Sequence, residues 1–476
     1  MNTFQVSSKK LYLLFFVWAI PVALFVIDPS YSPKAWPVWL ATIISIFLGL
    51  KERRFFTFSL PFFAFLSPLA ISGRLFNLLP SELYVLGCFF ALIGAFLIKG
   101  VSNIKLRSGE SYLIWMLVIV FISYLFSFEH ALLNKSIIRW GMIFTVFCLT
   151  RVTITNFDDV YKFFTALLMA AAFSSLITFS SFLNGLRLAT FINPFVHEKN
   201  IIDIDLYESF FRASYFYTNI LYVFGLATFI SFFRIIGINE IRAKLLYICF
   251  FTGFIGTLLI MIEKTGLVSI AISLIITLML SVNQKVFWRS SNLIYIFFAV
   301  PLAVYFIFMQ ITKDTEFTVN LGSLNARICV IFNAMKVLFQ NPLRLFFGFG
   351  PDSANLLNND LISAAKTSCG GTVEGAIDSG HMTFLFEYGF VFVILFWLFS
   401  FHGLSRIFNK LKSTGSHRLM YITIISLIIF INIAALSDVM GTSKVTWIIV
   451  QIFAVIGLCI SKSGIKNKNF VYKSAL

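Results

Sequence analysis

Asp378-Ser379-Gly380-His381-Met382-Thr383-Phe384-Leu385-Phe386-Glu387-Tyr388-Gly389 is where a polar insert gives way to an apolar run. The insert, roughly seventy residues lying between about Ile311 and Phe401, carries a histidine, several arginines and glycine turns. Most other segments are apolar and joined by short loops. That contrast decides the fold class, because it sets polar chemistry into what reads as a lipid-embedded helical scaffold.

Composition points the same way. Of 476 residues, 59% are hydrophobic and 12% charged, with mean hydropathy +0.90, far from soluble globular norms. The sixty phenylalanines suit lipid contact and helix packing. The six cysteines (Cys88, Cys148, Cys249, Cys329, Cys369 and Cys459) show no CxxC spacing and no pairing with histidine, so neither a metal site nor a cofactor is expected.

Working outward from the insert, fourteen apolar segments are long enough to be read as spans, at about 11–27, 35–50, 55–72, 83–99, 111–128, 137–153, 160–183, 214–235, 244–262, 266–282, 291–311, 381–401, 418–436 and 446–461. The first reads as an anchor, since Pro21 and Asp28-Pro29 close it without a small-residue cleavage site. The expected fold is therefore an all-α polytopic membrane protein. Its parts are N-terminal transmembrane helices (1–183), a loop (184–213), further helices (214–311), a large loop (312–380) and C-terminal helices (381–476).

Charge sets the orientation. With the N-terminus inside, 23 of the 37 lysines and arginines fall on the cytoplasmic side, and an even span count returns the basic C-terminal tail there. The net charge of +16 is then mainly topogenic, which argues against nucleic-acid binding. Three features share the outer face: the 184–213 loop ending at Arg212, the turn Glu263-Lys264-Thr265-Gly266, and the large insert.

Within the insert, Ser323 to Gln340 has helical periodicity, with Leu324, Ile328, Ile331, Met335 and Leu338 on an apolar face and Asn333, Lys336 and Gln340 away from it. Asn341-Pro342 stops it, and Arg327 lies in its first turns. Gly348-Phe349-Gly350-Pro351 reads as a turn whose glycines let the backbone approach another group closely. Residues 352–380, rich in Asn, Ser and Gly, read as a lid or loop.

Taken together these stretches resemble the O-antigen ligase and O-antigen polymerase family over roughly residues 180–400. The likeness rests on Arg212 with the aromatics and Asn219 that follow it, on the Lys264 turn, on Arg327 followed by Asn341-Pro342 and Gly348-Phe349-Gly350, and on His381 with Glu387-Tyr388-Gly389. The chain departs from the family in lacking a glycine and proline near Arg212, in having Lys264 where arginine is usual, and in placing Met382 after the histidine. The resemblance implies a GT-C-like architecture and inverting, metal-independent glycosyl transfer from undecaprenyl-diphosphate-linked glycans at the periplasmic face of the bacterial inner membrane. It also implies membrane lipids, a chain-length regulator and a flippase of the same pathway as partners.

That chemistry gives each residue type a reason. A diphosphate is a good leaving group, so the need is to neutralise charge as the sugar–phosphate bond breaks, which Arg212, Lys264, Arg327 and Arg344 can do. The acceptor hydroxyl is a weak nucleophile and needs a base, for which His381 is the candidate. Asp378 and Glu387 are alternative bases or orienters of that histidine. Duller roles are open to several of these: snorkelling to lipid phosphates for the arginines, pairing with Glu263 for Lys264, and an interfacial cap for His381. The 184–213 loop, as surface for a second lipid-linked glycan, favours a polymerase over a ligase that transfers to a lipid A core. A flippase or other secondary transporter predicts internal repeats and charges buried at mid-span. The sequence shows no repeat and sets its charges mainly at span ends. A Cys329–Cys369 disulfide is compatible with an oxidising outer side, although free thiols fit as well.

Overall fold

A computed structural model describes residues 9–27, 36–66, 80–99, 110–125, 127, 130–183, 206–207, 210–211, 220–260, 264–282, 322–351, 353, 380–411, 417–435 and 444–461. The described residues are almost wholly helical. In chain order the helices are α1 (Lys9–Ile27), α2 (Trp36–Lys51), α3 (Arg54–Leu66), α4 (Pro80–Lys99), α5 (Glu110–Leu125), α6 (His130–Thr153), α7 (Phe157–Leu183), α8 (Ile220–Gly237), α9 (Ile241–Ile260), α10 (Lys264–Val282), α11 (Gly322–Phe339), α12 (Pro342–Phe347), α13 (Gly380–Leu411), α14 (Arg418–Ala434) and α15 (Lys444–Ser461). The 184–213 region also contains a small antiparallel hairpin, β1 (Leu206–Tyr207) with β2 (Phe210–Phe211), which the loop reading did not anticipate.

Thirteen of the fourteen apolar segments coincide with helices, and the remaining one, 291–311, lies outside the described residues. Among the described residues three helices are long and apolar enough to cross a membrane, over Phe157–Ser180, Ile241–Leu259 and Gly380–Leu411, and nine others are shorter apolar helices. The protein is thus a helical bundle of membrane-like character.

At its centre lie α3 and α14. Every residue from Phe55 to Leu66 and from Met420 to Ala434 is buried, so these helices are surrounded by protein on all sides. An unbroken apolar run such as Ile-Ile-Phe-Ile suits that position, since there is no polar face to present to anything. By contrast α9 is peripheral, with only 17% of its apolar window buried and Leu245, Leu246 and Ile248 exposed.

Pro61 shows how a local defect in α3 is repaired by tertiary structure. Proline has no N–H to give the carbonyl four residues back, which here is Thr57. The buried amide of Gln451, on α15, donates Nε2–H to that Thr57 carbonyl at 3.0 Å. At the helix ends, charge pairs tie neighbours together: Arg54 to the buried Asp159 at 2.8 Å, and Arg151 to the buried Glu110 at 2.6 Å. Asn156 caps α7 by accepting the Asp159 N–H at 2.8 Å.

Two differences from the sequence reading affect the site. Helix α13 runs to Leu411 rather than ending near 401, because Leu404, Ile407, Phe408 and Leu411 keep a buried stripe at helical spacing. Helix α11 buries Met335 and Leu338 of the expected apolar face and leaves Lys336, and Gln340 just past its end, exposed, but it also buries Val330, Asn333 and Ala334, so Asn333 lies on the inside rather than away from it. Its docking on α12 and α13, rather than its own periodicity, selects that face.

Candidate functional site

The site is built where the polar insert meets the first piece of α13. Asn341 caps α12, its side-chain oxygen accepting from the N–H groups of Leu343 (3.1 Å) and Arg344 (3.4 Å), with Pro342 in the first turn. Asn341-Pro342 therefore both ends α11 and starts a new short helix. Immediately after it, Gly348 (φ 74°) and Gly350 (φ 103°) turn the chain across α13.

At the crossing α13 is broken. Gly389 has φ 80° and ψ 178°, so Gly380–Tyr388 and Phe390–Leu411 are separate helical pieces. The break frees carbonyls of the preceding turn, and the glycine turn satisfies them. The Phe349 N–H donates to the Phe386 carbonyl and the Gly350 N–H to the Glu387 carbonyl, both at 2.9 Å. Ser123 of α5 donates its hydroxyl to the same Glu387 oxygen at 2.6 Å. The Phe349 ring stacks on Phe386 with centroids 4.8 Å apart, and the Arg344 guanidinium sits 5.1 Å over the Phe349 ring. Partial burial pulls the Arg344 pKa below its ordinary value, though a guanidinium remains protonated at neutral pH.

His381, the second residue of α13, is 6% exposed and docks on the end of α14. Its backbone N–H donates to the Ala435 carbonyl and its ring Nε2 lies 3.2 Å from the Asn432 carbonyl oxygen. Carbonyls in the last turn of a helix lack intrahelical donors, so these contacts satisfy groups that α14 leaves open. A carbonyl can only accept, so Nε2 must carry the proton, which leaves Nδ1 with its lone pair. Among the described residues Nδ1 has no hydrogen-bond partner. The rings of Phe396 and Trp397 flank the imidazole, each with its centroid 5.7 Å away.

Glu387 is buried and lies six residues further along α13, so it is about 9 Å away along the axis and on a different face. Its backbone belongs to the α5–α12 junction, whereas the group that orients His381 is on α14. Arg327 occupies the early turns of α11, and Lys264 is the first residue of α10. Arg212, Asp378 and Cys369 lie outside the described residues, as does the Cys329 side chain. Among the described residues no group of three or more His, Cys, Asp or Glu is placed to hold a metal ion.

Beside the site lies an apolar cleft of about 70 Å³ between α5, α6, α13 and α15. Phe384 and Phe396 line it and also belong to the aromatic group around His381. Trp140, another of its walls, donates Nε1–H to the Tyr388 hydroxyl at 2.8 Å.

Asn432 and Ser123 were missed in the sequence. Asn432 is the sole amide in the apolar run of α14, and a lone amide in such a run is a signal that could have flagged it. Ser123 in α5 carries no comparable signal. In comparisons with known proteins, no family model and no curated protein matches the chain.

Proposed function

We propose that this chain is a multi-pass glycosyltransferase of the bacterial inner membrane, with both termini cytoplasmic and its site on the outer face. In this reading it has fourteen spans, a GT-C-like architecture and the activity of an O-antigen polymerase. It transfers a glycan from its undecaprenyl-diphosphate carrier to a sugar hydroxyl of another lipid-linked repeat unit. The observation that carries the reading is the His381 ring: the Asn432 carbonyl holds the tautomer in which Nδ1 is a free base.

The proposed step balances simply. The acceptor hydroxyl gives its proton to Nδ1 of His381 while its oxygen bonds to the anomeric carbon. The bond from that carbon to the diphosphate breaks with inversion, and undecaprenyl diphosphate leaves with the electron pair. Arg327, Arg212, Lys264 and Arg344 are the candidates to neutralise its charge. The cleft beside His381 is lined by hydrocarbon and, at about 70 Å³, suits only a short apolar segment of the carrier. Because His381 is only 6% exposed, a hydroxyl reaches Nδ1 only with movement at the outer ends of α13 and α14.

The test is genetic and direct. His381→Ala and Arg327→Ala should each abolish long-chain surface glycan while the protein still reaches the membrane. Normal chain lengths in both variants would overturn the proposal.

A further inference from the structure

The residue that orients His381 also carries an unused acceptor. Asn432 is 1% exposed, and its side-chain Nδ2 is committed to the Ile428 carbonyl of its own helix at 2.8 Å. That commitment fixes the amide orientation and leaves Oδ1 facing elsewhere. Among the described residues Oδ1 has no hydrogen-bond partner, and neither has Nδ1 of the touching His381. Two buried acceptors without donors, on residues in direct contact, are costly for an apolar bundle end to retain.

Their chemistry defines what can satisfy them. Both atoms only accept, so an ionised phosphate or carboxylate gains nothing here, while neutral hydroxyls donate to each. We infer that Asn432 Oδ1 and His381 Nδ1 form a hydroxyl-binding subsite for the acceptor sugar, Asn432 taking one hydroxyl while His381 takes the proton of the reacting one. This inference rests on the reading of His381 as the base. It adds a substrate contact on α14 and separates the subsites: sugar hydroxyls at the α13–α14 end, the diphosphate at the cationic side chains.

The experiment uses the full chain in lipid vesicles, with lipid-linked glycan extracted from cells lacking this protein as the probe. Asn432→Leu removes the acceptor and keeps the volume. Asn432→Asp, protonated in this apolar setting, keeps an acceptor oxygen and supplies an O–H for the Ile428 carbonyl. The half-saturating acceptor concentration should rise roughly tenfold in Asn432→Leu and stay near wild type in Asn432→Asp, with both proteins melting normally. An unchanged half-saturation in Asn432→Leu would overturn the inference, as would a loss confined to the amount of folded protein. His381→Ala separates the two layers: if it turns over normally, the reading of the base fails, whereas a dead His381→Ala beside a normal Asn432→Leu removes only the Asn432 contact.

Discussion

Gly348 and Gly389 cross so closely that a Cβ on either would overlap the backbone of the other's segment. On Gly348 it would meet the Glu387 carbonyl, and on Gly389 the Phe346 carbonyl. Both glycines have positive φ, so a side chain there is excluded twice, by conformation and by contact. The crossing fixes the polar insert to the helix that carries His381.

Gly389→Ala should therefore destabilise the protein by at least ~2 kcal/mol and reduce surface glycan. Ser123→Ala, which removes one of two donors to the Glu387 carbonyl, should cost about 1 kcal/mol. Melting in detergent checks both, and a Gly389→Ala protein that melts like wild type would refute the lock.

Gln451 and Pro61 should be coupled, because the amide on α15 supplies the donor that the proline lacks. Gln451→Leu is expected to cost about 1 kcal/mol in the wild type. In a Pro61→Ala background, where residue 61 regains an N–H for Thr57, the same change should cost clearly less. A double-mutant cycle with no interaction energy would contradict this account.

His381→Gln keeps an amide donor for the Asn432 carbonyl but has no basic lone pair. The protein should assemble normally, and transfer should fall by about 10²–10⁴-fold. Retention within roughly tenfold, measured with extracted lipid-linked glycan, would assign His381 to a purely structural role.

Deletion distinguishes the two acceptors. If the chain polymerises, cells lacking it should display single repeat units on the lipid core. If it ligates, they should show bare core and accumulate lipid-linked polymer. The gel pattern of surface glycan reads out either case.

The linear sequence determined what depends on neighbours along the chain. Apolar length marked the helices α1–α10 and α13–α15, since a long apolar segment kept away from water must satisfy its own backbone hydrogen bonds. Gly348-Phe349-Gly350 was readable as a close backbone approach, and Asn341-Pro342 as a helix boundary. What the sequence left open were partners far away in the chain. His381 and Asn432 are 51 residues apart and Thr57 and Gln451 394, and no local pattern joins either pair. The inward face of α11 was likewise chosen by its neighbours, because periodicity defines a stripe while docking decides which edge of it is covered. The tertiary structure decided which ring nitrogen of His381 carries the proton, because only the packed end of α14 brings a carbonyl, which can accept but never donate, against Nε2.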